Sequence, residues 1–274
     1  HSPFRLHATY NETISRALDV FEKVNRDIPF DGIHWFFDHA ETVTDVNLER
    51  IAKLGGGIAI QHRMAYQGEY FVQRYGSKAA ERTPPYKRML EMGVNVGAGT
   101  DATRVASYDP WNALYWLTTG KTLGGLSLYP AENLVDRETA LRLYTQANTW
   151  FSNEEGVKGQ IKPGQYADLA VLSADYFKIP EDEIRNLVSV LTIVGGRIAH
   201  GDDEFDKLAP PLVPAMPEGS AEGILRGMHL VLLQTRSKRA CHAPARSGSL
   251  WLRNWLLCTR ACPWTRVSGC CGCR

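Results

Sequence analysis

Four short apolar segments recur in the first hundred residues, and each is followed by a segment with different periodicity or by a loop. The apolar segments have the composition of buried strands, and apolar residues between them return at helical intervals of three and four. Strands that alternate with helices in this way form a parallel sheet through right-handed crossovers. Strands are predicted at 1–9, 32–39, 58–62 and 93–99, helices at 12–24, 44–54 and 86–92, and a polar and aromatic loop at 63–76. The chain is therefore assigned to the α/β class.

The repeat length favours one α/β architecture in particular. His7 and His39 are 32 residues apart, and His39 and Asp101 are 62 residues apart with one strand between them. One strand and its crossover therefore occupy about 31 residues, which is also the length of one unit in a (β/α)8 TIM-type barrel of roughly 250 residues. Four such units fit into residues 1–153, so this region is predicted to form a partial (β/α)8 barrel.

Three polar side chains stand at or near the ends of separate predicted strands. Parallel strands end at one edge of the sheet, so His7, His39 and Asp101 are expected to converge there. Imidazole nitrogen and carboxylate oxygen bind Zn²⁺ and similar divalent ions, which makes these residues candidate metal ligands. The strand period of two places His39 on the same face as Trp35 and Phe37. The alternative is structural: a strand histidine is often only hydrogen-bonded, and an Asp after glycines is often a helix N-cap.

The pattern changes after about residue 153. Helices are predicted at 112–119 and 136–150, and strand pairs follow at 156–172 and 188–199. Pro163-Gly164 suits a type II turn within the first pair, and Gly195-Gly196 suits a tight hairpin within the second. Residues 154–205 are therefore predicted to form a small β-sandwich unit.

Composition constrains the localisation of the chain and the class of its ligands. It has 274 residues, 44% hydrophobic and 22% charged, as expected for a globular protein. No apolar run reaches the roughly 18 residues that a membrane-spanning helix needs, and the first residues lack a signal-peptide pattern. Residues 1–220 carry 22 basic and 29 acidic side chains, which argues against nucleic-acid binding. A cytoplasmic protein with a small-molecule substrate is expected, and homo-oligomerisation stays open.

The last part of the chain has a different composition. After residue 220 there are nine basic residues and the single acid Glu222, and all six cysteines lie at or after Cys241. Their spacing matches no familiar zinc motif well. Residues 206–274 are therefore predicted to be a linker and an unstructured tail of appended or frame-shifted origin. A cysteine-rich zinc-binding adaptor and a basic nucleic-acid or membrane arm are the alternatives for the tail.

Several motifs together resemble the amidohydrolase superfamily, and in particular its YtcJ-like metal-dependent hydrolases. The resemblance covers about residues 1–217. It rests on Leu6-His7-Ala8, Asp38-His39-Ala40, Gly99-Thr100-Asp101-Ala102, Leu143-Tyr144-Thr145, and the segment from Gly159 through Pro163-Gly164 and Ala167-Asp168-Leu169 to Val194-Gly195-Gly196-Arg197. In that family barrel strands five and six each supply a metal-binding His and strand eight an Asp. The resemblance places these roles on His7, His39 and Asp101, so the four predicted strands correspond to about strands 5–8.

The resemblance implies a function. The chain would be a metal-dependent amidohydrolase that cleaves a non-peptide, amide-like C–N bond with a metal-activated water, Zn²⁺ being the expected ion. Asp101 would accept the proton of the water and pass it to the leaving amine. His62 and Arg63 are candidate substrate contacts.

One expected element has no counterpart in this sequence. The family's first barrel strand carries a His-x-His pair and its fourth often a carbamylated lysine or a glutamate, and no such half precedes His1. The chain is therefore predicted to be a truncated form. A non-catalytic fragment or regulatory protein that retains the hydrolase fold remnant is the alternative function.

Overall fold

A four-stranded parallel sheet organises the structure, a computed structural model that describes residues 3–102 and 104–211. Its strands lie side by side in chain order, and the register pairs Ala8 with His39 and Gln61 with Gly99. The strands are β1 (Phe4–Ala8), β2 (Trp35–His39), β3 (Gly57–Gln61) and β4 (Asn95–Gly99). The predicted α/β class with a parallel sheet is confirmed. Because the strands run in one direction, all four present their carboxyl ends at one edge.

Helices connect and cover the strands. α1 buries Ile14 and Leu18, and α2 buries Leu48 and Ile51, so each helix turns one apolar face towards the sheet. The helices are α1 (Asn11–Asp27), α2 (Asp45–Lys53), α3 (Met64–Tyr75), α4 (Ser77–Ala80), α5 (Tyr86–Glu91), α6 (Pro110–Thr119), α7 (Arg137–Tyr144) and α8 (Asn148–Phe151). Short 3₁₀ turns lie at Ala131–Asn133, Glu181–Asn186 and Asp203–Leu208. The helices predicted within 12–24, 44–54, 86–92 and 112–119 are present.

The two faces of the parallel sheet differ in chemistry. Trp35, Phe37, Ile58 and Ile60 are completely buried among the helices. The alternate positions on β2 and β3 point the other way and line an open cavity. The buried face thus supplies the hydrophobic core, and the opposite face carries the polar side chains.

Two predictions about helices were wrong. Residues 63–76 are mainly helical, because Met64, Ala65 and Gly68 form a buried stripe on α3. The aromatic and polar side chains on its other faces hid this periodicity in the sequence. The single helix predicted over 136–150 is broken between Tyr144 and Asn148, and the second piece is the separate helix α8.

A second, antiparallel sheet follows the parallel one. It contains β5 (Leu169–Leu172), β6 (Ser189–Val194) and β7 (Arg197–Gly201) in that order. Gly195 and Gly196 have φ angles of 56° and 77°, as a tight hairpin turn requires. Residues 156–168 form turns and bends and no strand, so the first predicted strand pair is wrong: β5 pairs with β6.

The two remaining predictions concern membrane-spanning helices and the C-terminal tail. No helix among the described residues is long and apolar enough to cross a membrane. The predictions for the six cysteines and the basic tail concern residues that lie outside the described part of the chain.

Candidate functional site

A cavity of about 510 Å³ lies on the polar face of the parallel sheet. His7, His39 and Asp101 all line this cavity, together with Gln61, which was not predicted as a site residue. The full lining consists of Arg5, His7, Phe36, Asp38, His39, Ala59, Gln61, Ala98, Gly99, Asp101, Asn148 and Phe151. The strand ends therefore supply nitrogen and carboxylate donors to a common space.

The rings of His7 and His39 are in direct contact in this cavity. The His39 Nε2 and His7 Nδ1 atoms are 2.9 Å apart, and the ring planes meet at 71°. Two nitrogens at this distance either share one proton in a hydrogen bond or direct both lone pairs at one metal ion. The second ring nitrogen of His39, Nδ1, is buried and has no hydrogen-bond partner among residues 3–102 and 104–211.

The backbone explains how His39 reaches His7. Strict alternation would place His39 with Trp35 and Phe37 on the helix-covered face, as the sequence argument predicted. Instead His39 and Ala40 have φ angles of 78° and 49°. This left-handed conformation is uncommon for residues other than glycine and is characteristic of functional sites. The end of β2 is therefore twisted so that the His39 ring turns to the cavity side, and the predicted face was wrong.

The electrostatics favour a neutral His39. Burial is the main cause that lowers its pKa, and the neighbouring His7 lowers it further. The carboxylates of Asp101 and Asp38 act in the opposite direction. Asp38 is itself buried and forms an ion pair with Arg5 at 3.1 Å. A neutral imidazole keeps a free lone pair, which is the form that binds a metal ion.

Asp101 follows β4 and is held through the backbone before it. The Tyr144 Oη donates to the Gly99 carbonyl at 2.9 Å, and the Asn148 Nδ2 donates to the Ala98 carbonyl at 2.9 Å. Asp101 has a φ of 53° and an exposed side chain. Sequence reasoning missed the role of Tyr144 and Asn148, because a helical pattern does not show which carbonyl a side chain reaches.

The donor set fits a divalent ion in part. His7 and His39 present two imidazole nitrogens close enough to act as neighbouring ligands. Within residues 3–102 and 104–211, however, no three His, Cys, Asp or Glu side chains are grouped closely enough to hold a metal ion. The histidine pair therefore offers two ligand positions. The Asp101 carboxylate lines the same cavity but is not grouped with the two imidazoles.

The two residues predicted to contact substrate lie elsewhere. The His62 ring is buried and packs edge-on against Tyr66, and neither of its nitrogens has a hydrogen-bond partner among the described residues. Burial lowers its pKa to about 4. Arg63 lies 3.6 Å from the carboxylate of Glu41 and donates to Gln67 at 2.9 Å. Neither His62 nor Arg63 lines the cavity of the histidine pair.

Known proteins resemble this chain over part of their own length. A chain of Arthrobacter pascens, an N-substituted formamide deformylase, is 28% identical over 193 residues, which are 70% of this chain and 35% of the relative. The Bacillus subtilis (strain 168) protein YtcJ, named as an amidohydrolase, is 26% identical over 199 residues, 71% of this chain and 37% of the relative. The crystal structure of an uncharacterised metal-dependent hydrolase from Pyrococcus furiosus superimposes with a TM-score of 0.53 and 26% identity, over 64% of this chain and 34% of that one.

The chain thus spans little more than a third of the length of the curated relatives it matches. The model of the amidohydrolase family matches residues 1–200, which is most of the chain. The resemblance to YtcJ-like proteins that the motifs indicated is confirmed. The chain belongs to the amidohydrolase family.

Proposed function

We propose that this protein is a metal-dependent hydrolase of non-peptide, amide-like C–N bonds. The observation that carries the proposal is the approach of His7 Nδ1 and His39 Nε2 to 2.9 Å in a cavity that Asp101 also lines. The four parallel strands would correspond to strands 5–8 of a (β/α)8 barrel, because the matched region covers only 35–37% of each curated relative.

His7, His39 and Asp101 would hold the ion, for which Zn²⁺ is the best match to two imidazoles and one carboxylate. A bound ion would polarise the substrate carbonyl and lower the pKa of a water molecule. The Asp101 side chain is exposed and lines the same cavity as the two histidines.

The residues of the chain supply the proton transfer. Asp101 accepts the proton of the attacking water and passes it to the nitrogen of the departing amine, so that the C–N bond breaks without forming an amide anion. The bonds from Tyr144 and Asn148 to the end of β4 keep the Asp101 backbone in place during this transfer. Burial keeps His39 unprotonated and able to bind the ion near neutral pH.

The names of the relatives suggest a substrate class. One relative is named for the deformylation of N-substituted formamides. A small N-substituted amide is therefore the proposed substrate, and the proposed site requires no peptide or nucleic acid.

A zinc titration combined with a panel of small N-acyl amines tests the proposal. The protein should bind about one Zn²⁺ per chain by calorimetry, and His39→Ala should abolish this binding, whereas His200→Ala, on the exposed strand β7, should preserve it. Asp101→Asn should lose at least about a hundredfold in kcat, as expected when a general base is removed. Full activity of Asp101→Asn, or zinc binding that survives His39→Ala, would contradict the proposal.

A non-catalytic or regulatory protein is the second candidate. It is favoured by the absence of a three-donor group among the described residues. Zinc binding to the histidine pair without turnover of any N-acyl amine would support this candidate over the hydrolase.

A further inference from the structure

A second cleft, of about 930 Å³, is formed by other loops of the same sheet. Its walls are the start of α1, the 41–46 segment that follows β2, and helix α3 with the 79–83 segment beyond it. It shares no lining residue with the histidine cavity. A volume of this size accommodates a small organic ligand.

One stripe of α3 forms the longest wall of this cleft. The side chains recur at helical spacing, so they face the same way along the helix. They are Arg63, at the N-cap, and then Met64, Gln67, Tyr70, Phe71, Arg74 and Tyr75. A loop was predicted here from the sequence, so it is the helix in the structure that shows these side chains on one face.

Three tyrosines in the cleft are exposed to solvent. Tyr10, Tyr70 and Tyr75 are 55%, 61% and 54% exposed. Large aromatic side chains that gather in a concave surface and stay exposed leave ring faces and edges free for a ligand. Phe71 and Met64 add apolar surface deeper in the cleft.

Among the described residues, the cleft leaves one cation, Arg74, and one carboxylate, Glu12, without an ion-pair partner. Arg63 pairs with Glu41 at 3.6 Å, and Arg82 pairs with Asp45 at 2.8 Å. Arg74 forms no ion pair with any carboxylate of the described residues.

The Arg74 guanidinium is nevertheless held in place by tyrosines. Its Nη1 donates to the Tyr70 Oη at 3.2 Å, and its Cζ lies 5.4 Å from the centre of the Tyr75 ring. The remaining carboxylate of the lining, Glu12, belongs to the α1 wall and forms no ion pair with Arg74. A guanidinium that contacts one tyrosine hydroxyl and one tyrosine ring keeps N–H groups that can pair with a carboxylate, and the neighbouring rings can pack against an aromatic group joined to it.

We propose that this cleft binds an aromatic carboxylate. The carboxylate would accept from the Arg74 guanidinium, and the ring would pack against Tyr70, Tyr75 and Phe71. The neutralised pairs Arg63–Glu41 and Arg82–Asp45 complete the walls without competing for the anion. The proposal stands apart from the hydrolase activity, because it needs neither a metal ion nor a residue of the histidine cavity.

Titration calorimetry with phenylacetate tests this site directly. Phenylacetate should bind saturably, whereas acetate, which lacks the ring, and benzyl alcohol, which lacks the carboxylate, should each bind at least about tenfold more weakly. No saturable phenylacetate binding, or equal binding of acetate, would overturn the proposal.

Matched variants locate the binding. Arg74→Gln and Arg26→Gln each remove an exposed arginine from the last turn of a helix, α3 or α1. Tyr70→Ala and Tyr166→Ala each truncate a tyrosine that is about 60% exposed. Arg74→Gln and Tyr70→Ala should each weaken binding about tenfold, while the two control variants retain it. Equal effects within either pair would refute the assignment, and circular dichroism melting verifies that all four variants are folded.

Discussion

The buried histidine His62 should make the protein sensitive to acid. Its side chain lies in the interior at 1% exposure, and neither ring nitrogen finds a hydrogen-bond partner within the described part of the chain. Burial lowers its pKa to about 4, from 6.5 for an ordinary histidine. Because the folded pKa lies below the unfolded pKa, the unfolded chain binds this proton more readily between these two values. The stabilising effect of a neutral His62 is therefore complete above pH 6.5 and is lost as the pH falls towards 4.

The size of this effect follows from proton linkage. At pH 4.5 the two pKa values correspond to a loss of about 2.5 kcal/mol in the free energy of unfolding, relative to pH 7.5. His62→Leu removes the titrating ring. At pH 7.5 the variant should stay within about 1.5 kcal/mol of wild type, because it loses packing against Tyr66 but also removes two unpartnered buried nitrogens.

Urea unfolding at pH 7.5 and pH 4.5, followed by tryptophan fluorescence, measures the difference. Other groups also titrate in this range, so the informative quantity is the pH-dependent loss of wild type minus that of His62→Leu. The exposed His200 provides the matched control, and His200→Leu should leave the loss unchanged. If wild type and His62→Leu lose the same free energy between the two pH values, the buried neutral histidine does not control acid stability and the reasoning fails.

Two further substitutions probe the frame of the histidine cavity. Tyr144→Phe removes the bond to the Gly99 carbonyl and should lower the free energy of unfolding by about 1 kcal/mol in urea titrations; an unchanged midpoint would show that water replaces the hydroxyl at no cost. Gly97→Ala places a methyl group about 2.6 Å from the Phe151 ring and should destabilise by about 1–3 kcal/mol, whereas Gly99→Ala, with nothing within 4 Å, should cost less. A larger loss for Gly99→Ala would mean that crowding by α8 is not the cause.

The sequence determined the parallel sheet because its signals are local. Short apolar strands alternate with segments of helical spacing, and a β-α-β order leaves few topologies open. The Gly195-Gly196 turn was equally clear, since both residues take a positive φ that other residues adopt only with strain. The prediction that His7, His39 and Asp101 belong to separate strands then followed from their positions in the chain.

Local signals failed where tertiary packing decides the conformation. Residues 63–76 form α3 because Gly68 packs closely against Thr122 and Leu128, a contact with residues more than fifty positions away. The broken helix before Asn148 likewise reflects a long-range bond, from Asn148 to the Ala98 carbonyl. Neither contact can be recognised from the spacing of apolar residues within the segment itself.

The candidate site shows the same division between sequence and structure. Residue type and spacing selected His7 and His39, and the resemblance added their roles. Only the fold shows that His39 meets His7 through a left-handed backbone at the end of β2, against the alternation of the strand. The cleft beside α3 belongs wholly to the tertiary structure, because Arg74 becomes an isolated cation only once the ion pairs of Arg63 and Arg82 have formed. Sequence spacing indicates which residues share a face where the strand or helix is regular, whereas charge balance and departures from regular backbone depend on partners that folding brings from elsewhere.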